Sequence, residues 1–117
     1  MKKSGGMDGM ERIEIAKVLA DPQEYAEKTI TVCGWVKSIR DSKALGFIDL
    51  NDGSSFAGLQ IVFEAQKVEN FGEIAKQNVG AALCVTGTLV PTPQAKQPCE
   101  LHASLIAVEA PSAPEYP

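Results

Sequence analysis

A small all-β barrel with minor helices is the fold class this sequence predicts, and three observations predict it. The chain has 117 residues, enough for one domain with one core and too few for a second. Five segments read as strands, either by apolar–polar alternation or as short apolar runs, and turn residues bound them. A segment of helical period falls between the third and fourth of these, and a second helical segment precedes the first.

The elements follow in order. Ile13 to Ala20 suits a short helix. Asp21-Pro22-Gln23-Glu24 places an N-cap acid before a proline at the first helical position, so a second helical turn is expected through Tyr25 and Ala26. From Ile30 the period becomes two: Ile30, Val32, Gly34 and Val36 alternate with Thr31, Cys33, Trp35 and Lys37, and the strand ends near Arg40. Asp41-Ser42-Lys43 is a turn, and Gly46 to Leu50 is the second strand. Asn51-Asp52-Gly53-Ser54-Ser55 is dense in turn residues, which predicts a hairpin into a third strand from about Ala57 to Phe63.

Lys67 to Asn78 is expected to be helical, with Val68, Phe71, Ile74 and Ala75 on one face and Gly80 beyond its end. Ala81 to Val90 is the fourth strand, Pro91 to Pro98 a loop, and Cys99 to Val108 the fifth strand. Five alternating strands fit several small barrels and sandwiches. A helix between the third and fourth selects the five-stranded OB-fold Greek-key barrel, here with an N-terminal helical segment. The expected organisation is a flexible leader or artificial remnant over 1–11, the barrel over 12–109, and a linker from 110 to 117 containing Pro111, Pro114 and Pro117.

Composition narrows the function. Hydrophobic residues at 44% and charged residues at 22% suit a soluble globular chain. No apolar run approaches the roughly 18 residues of a transmembrane helix, so no membrane is expected as a partner. The first ten residues lack the apolar stretch of a secretory signal. A net charge of −4 argues against gripping nucleic acid by bulk charge. Residues 28–47 nevertheless carry +3, from Lys28, Lys37, Arg40 and Lys43 against Asp41. That edge suits a local RNA contact, with Lys43 among its cations, and equally a solvated surface.

Cys33, Cys84 and Cys99 form no CxxC pair, and Cys99 with His102 is a weak zinc signal. Three reduced thiols in a cytosolic protein are expected, with no metal site. One histidine supports no Ser-His-Asp arrangement, and no GxxxxGK[ST] loop occurs, so no catalytic residue is expected. Asp49 and Asp52 read as local turn chemistry.

The candidate site residues lie on the strands. If Ile48 and Leu50 face the core, Phe47 shares the outer face with Asp49 and Asn51. Either its ring is a stacking platform for an unpaired base or the N-terminal helix or a loop covers it. Gln60 carries both a donor and an acceptor and suits a base edge, or a solvated strand position. Arg40 suits a phosphate or base contact, or an ion pair with Asp41. Glu100 shares a face with His102 and suits an exocyclic amine or imino proton, or an exposed strand position near Lys96. Together these residues place an aromatic, an amide, a guanidinium and a carboxylate on one barrel face.

Gly34-Trp35-Val36, Ile39-Arg40-Asp41-Ser42-Lys43, Gly46-Phe47-Ile48-Asp49-Leu50-Asn51-Asp52-Gly53-Ser54 and Leu59-Gln60-Ile61-Val62 resemble the N-terminal anticodon-binding domain of bacterial asparaginyl-tRNA synthetases. Val85 to Val90, Gln97 to Leu101 and Pro114 to Pro117 look like later parts of the same region. The resemblance covers nearly all of 12–117. The Arg-Asp-Ser-Lys and Asn-Asp-Gly-Ser runs favour the asparaginyl family over aspartyl and lysyl relatives.

The resemblance implies that Phe47 stacks on the central uridine of the anticodon and that Gln60 hydrogen-bonds it. It further implies that Arg40 contacts the anticodon and that Glu100 faces an anticodon base. It makes asparagine tRNA the partner of a fragment that needs no cofactor. The parent would be a cytoplasmic homodimeric class II ligase using ATP and magnesium in a domain outside this chain. A free-standing OB protein for single-stranded nucleic acid is the alternative. Cys33 stands where many relatives carry a basic residue, and Cys99 adjoins Glu100, so a less basic reading face with low affinity in isolation is expected.

Overall fold

The computed structural model describes residues 12–42, 44–77, 79–92 and 98–110. The expected leader, Lys43, most of the Pro91–Pro98 loop and nearly all of the expected linker lie outside the described residues.

Five strands close into a barrel: β1 (Thr29–Asp41), β2 (Leu45–Asn51), β3 (Leu59–Glu64), β4 (Ala82–Pro91) and β5 (Cys99–Ala110). The order around the barrel is β1-β2-β3-β5-β4, and β4 returns to pair with β1. All pairs are antiparallel except β3 with β5. Closure gives each of the described strands a neighbour on both sides. Alternation is clearest along β4, where Leu83, Val85 and Leu89 point inward. On β2 and β3 the inward set is Ile48, Leu50, Leu59, Ile61 and Phe63, all at 0–1% exposure. Gly46 belongs to this inward set because a Cβ there would overlap the Phe63 ring.

The helical elements close the barrel ends. α1 (Ile15–Ala20) buries Ile15 and Val18. It starts two residues later than predicted because Arg12 bridges Thr31 in parallel and the Ile13 N–H donates to the Thr31 carbonyl at 2.9 Å, which keeps that segment extended. The next turn, Pro22–Tyr25, is a 3-10 helix with proline at its start, but the Asp21 side chain makes no capping hydrogen bond. α2 (Phe71–Ala75) lies between β3 and β4 as expected and is much shorter than the predicted 67–78. Turns hydrogen-bonded to the Glu64 carbonyl occupy 65–68, and the Asn70 amide donates to the Ile106 carbonyl at 3.0 Å. The chain is thus fixed to β5 one residue before the helix begins. The predicted apolar face survives: Val68 and Ile74 are buried, and Phe71 packs on Phe63 with centroids 5.2 Å apart. Gly80 follows at φ +99°, a conformation that favours glycine.

Candidate nucleic-acid interface

β1 determines which side chains reach the outer face. Its residues Val32 and Val36 point inward, so unbroken alternation would turn Arg40 inward as well. A bulge prevents this. Val36 pairs with Leu50 and Ser38 with Asp49, which leaves Lys37 as the extra residue. Lys37 and Ser38 are both exposed, the phase reverses, and Arg40 emerges opposite Phe47.

The outer face then consists of two adjacent rows. One runs Arg40–Phe47–Val62–His102 across β1, β2, β3 and β5. The other runs Ser38–Asp49–Gln60–Glu100. All four predicted candidates that the structure describes therefore fall on one surface. Lys43 lies outside the described residues.

Phe47 is half-buried, and the N-terminal helix is bonded to the β2–β3 turn, beyond the other end of β2. The Arg40 guanidinium carbon lies over its ring, 4.9 Å from the centroid. The two residues line a cleft of about 200 Å³ with Asp41, Ser42 and Leu45. An exposed cation–π contact is worth about 0.5–1 kcal/mol, less than the roughly 1–3 kcal/mol of a base–aromatic stack. The contact is therefore weak enough for a stacking group to displace.

The Gln60 amide is held in place. Its Nε2 donates to Glu100 Oε2 at 3.0 Å, and Glu100 Oε1 lies 2.9 Å from His102 Nε2. Glu100 thus orients Gln60 from one side and contacts histidine on the other. With one amide proton committed, Gln60 still presents a second proton and its carbonyl oxygen. That donor–acceptor pair matches a base edge with adjacent acceptor and donor, such as uracil.

Three expectations need correction. Asn51 shares the parity of Phe47 but is 5% exposed, because its side chain turns into the β2–β3 connection. Its Oδ1 accepts from the Gly53 N–H at 2.7 Å and its Nδ2 donates to the Ser55 carbonyl at 3.3 Å. Cys33 and Cys84 are not free thiols: β1–β4 register sets them directly opposite, with Cα atoms 4.0 Å apart, and they form a disulfide. Strand parity could not reveal this, because it gives a face and not a cross-strand partner. Finally, neither Cys33 nor Cys99 belongs to the reading rows. Cys33 lies on the β4 side, and Cys99 points into the core, where burial and then the Glu100 charge push its thiol up to about 11. Cys99 and His102 face opposite sides of β5, so they cannot share an ion. No cluster of three metal-ligating side chains occurs among the described residues.

The sequence reading missed the structural role of the β2–β3 turn. Asp52 Oδ2 accepts from the Ile15 N–H at 3.0 Å, and Ser54 Oγ accepts from the Ala16 N–H at 2.9 Å. A distant turn thus supplies the first two donors of α1 with partners. Burial pushes the Asp52 carboxyl up. Hydrogen bonds from the Ser54 hydroxyl and from the backbone of Ile15, Ser54 and Asp52 itself outweigh it and leave the carboxyl below 3.8.

Residues 30–108 match the tRNA anti-codon family, described as an OB-fold nucleic acid binding domain. The chain belongs to that family. The matched span contains all five strands except their outermost residues, and with them the whole of the two-row face. Among curated proteins, the asparagine–tRNA ligase of Acetivibrio thermocellus is 52% identical over 103 residues, covering 88% of this chain and 22% of that protein. The Bacillus anthracis asparagine–tRNA ligase is 44% identical over 108 residues, covering 92% and 23%. The chain thus spans less than a quarter of these relatives. Among solved structures, asparaginyl-tRNA synthetase from Pyrococcus horikoshii superimposes with a TM-score of 0.76 at 20% identity, over 88% of this chain and 23% of that one. An OBody bound to hen egg-white lysozyme gives 0.77 at 15% identity, over 94% and 98%. At these identities the likeness concerns the fold, and it agrees with the family's OB barrel.

Proposed function

We propose that this chain is the anticodon-recognition domain of an asparagine–tRNA ligase and binds the unpaired anticodon bases of asparagine tRNA. The observation that carries this is the pair of rows that sets Phe47 and Arg40 beside Gln60 and Glu100 on one open barrel face. Phe47 supplies the platform for the central base. Gln60, oriented by Glu100, reads that base's edge. Arg40 moves off the ring and supplies positive charge, to which Lys43 adds. The identity to asparagine–tRNA ligases supports asparagine tRNA as the partner.

The barrel over 12–109 supplies recognition and no chemistry. Aminoacylation, with ATP and magnesium, belongs to the rest of a cytoplasmic homodimeric parent. No helix among the described residues is long and apolar enough to cross a membrane.

The test is a binding titration with an RNA hairpin carrying GUU in its loop. It should bind more tightly than a hairpin with a changed central base. Phe47→Ala should weaken GUU binding by roughly 1–3 kcal/mol and reduce the discrimination. Equal binding of both hairpins refutes the reading. Length-dependent, sequence-tolerant binding to homopolymers would instead mark a general single-strand binder, which the net charge of −4 disfavours.

A further inference from the structure

The Cys33–Cys84 disulfide lies outside the reading rows and outside the core. Its strand neighbours Val32, Leu83 and Val85 point inward at 0% exposure, so both cysteines point outward, and both are half-buried. Together they line an open cleft of about 370 Å³ with Arg12, Trp35, Asp52 and Glu109, among others. Cys33 also borders a smaller hollow of about 170 Å³ with Arg12, Ile13 and Glu14. A small molecule in the larger cleft meets the sulfur bridge while the barrel stays closed.

The surrounding strands hold the pair in place with or without the bond. Val32 pairs with Val85 and Gly34 with Leu83 on either side of it. One outer-face position away, the Thr31 and Thr86 hydroxyls are bonded at 2.8 Å. Two thiols released there remain opposite one another, so the bond can re-form without a search. The third cysteine does not compete. Cys99 is at 0% exposure in the core, and burial and then the Glu100 charge push its thiol up to about 11. It is out of reach, and it is not the thiolate that exchange requires.

We infer that Cys33 and Cys84 form a site of reversible thiol–disulfide exchange, which a low-molecular-weight dithiol reaches through the outer cleft of the folded chain. One thiolate of the dithiol attacks the sulfur of one cysteine. A mixed disulfide forms, the Cys33–Cys84 bond breaks, and the other cysteine leaves as a thiolate that takes up a proton. The second thiolate of the reagent then attacks the reagent's own sulfur in the mixed disulfide and releases the first cysteine, which is protonated in turn. Two electrons pass to the cysteine pair, and the dithiol ends as a disulfide. The oxidised reagent runs the same steps backwards. Disulfides in the cytosol are usually transient or redox-sensing, and an accessible pair fits that use. The inference goes beyond RNA recognition: exchange changes how the β1–β4 side is fastened and touches neither Phe47 nor Gln60.

The test treats the oxidised 117-residue chain with dithiothreitol, traps free thiols with iodoacetamide under native conditions, and locates the labels by peptide mass. Cys33 and Cys84 should both be labelled and Cys99 should not. The rate should be unchanged by urea below the unfolding transition. Exchange that needed global unfolding would instead accelerate about tenfold for every 1.4 kcal/mol of stability removed. Cys99→Ala should exchange at the parent rate, and oxidised dithiothreitol should restore the link in the folded chain. A rate that climbs with urea in that way, labelling of Cys99 together with the other two, or a link that does not re-form without unfolding overturns the inference. Hairpin binding does not enter any of these readouts, so they stand or fall separately from the anticodon reading.

Discussion

The two halves of β1 have opposite roles. Thr29 to Trp35 pairs with β4, and Trp35 to Asp41 pairs with β2, with the bulge at Lys37 between the inward positions Val36 and Ile39. The first half is closed. Thr31, although on the outer face, is 8% exposed beneath the Arg12–Ile13 segment, and its hydroxyl bonds Thr86 at 2.8 Å. Two residues on, Cys33 is linked covalently to Cys84. The second half is open, and Arg40 on it makes a weak, displaceable contact with Phe47. The barrel is therefore fastened where strands must stay closed and left loose where side chains must change partners. One inserted residue, Lys37, separates the two regimes by reversing the phase of the strand.

The strongest way to break this comparison is to unfasten the closed half. The Cys33–Cys84 link spans 51 residues of sequence, and chain-entropy arithmetic for such a loop gives about 4 kcal/mol of stabilisation at 25 °C. Cys33→Ala with Cys84→Ala, or reduction of the native chain, should lower unfolding stability in urea by a figure of that order. Affinity for the GUU hairpin should stay the same wherever the chain remains folded. If the double variant loses affinity as Phe47→Ala does, the halves are coupled through the bulge and the separation fails. In a reducing compartment the same residues stand as two opposed thiols, so the oxidised and reduced chains give the two sides of this measurement.

The strands were legible in the sequence because their pattern is local. Ile48 and Leu50 against Phe47 and Asp49, or Leu59 and Ile61 against Gln60, report their face through parity alone, and the structure agrees. What escaped was non-local. The bulge at Lys37 shows only in the phase change between Val36 and Ile39. The disulfide depends on β1–β4 register, and the length of α2 on the Asn70 bond to β5. Asn51 had the right parity and the wrong environment, because its own turn folds back over it.

The smallest of the expected effects concerns the turn that serves both ends of the hairpin. Asp52 and Ser54 hold the first donors of α1, while Phe56 follows in the same loop. Asp52→Asn keeps an acceptor but removes the charge, and by analogy with helix capping the loss should be about 0.5–2 kcal/mol at neutral pH. The sign of the pH dependence follows from the carboxyl lying below 3.8 in the folded chain. Its contribution is complete above the unfolded value and disappears as the pH falls through the lower folded value. The stability difference between parent and Asp52→Asn, measured by urea unfolding, should therefore be constant from neutral pH down to about 5 and shrink in the acid range below 3.8. Hairpin affinity at neutral pH should hardly change, since α1 docks away from Phe47. A variant that keeps its stability yet binds GUU more weakly would show that Asp52 shapes the outer face rather than anchoring the helix.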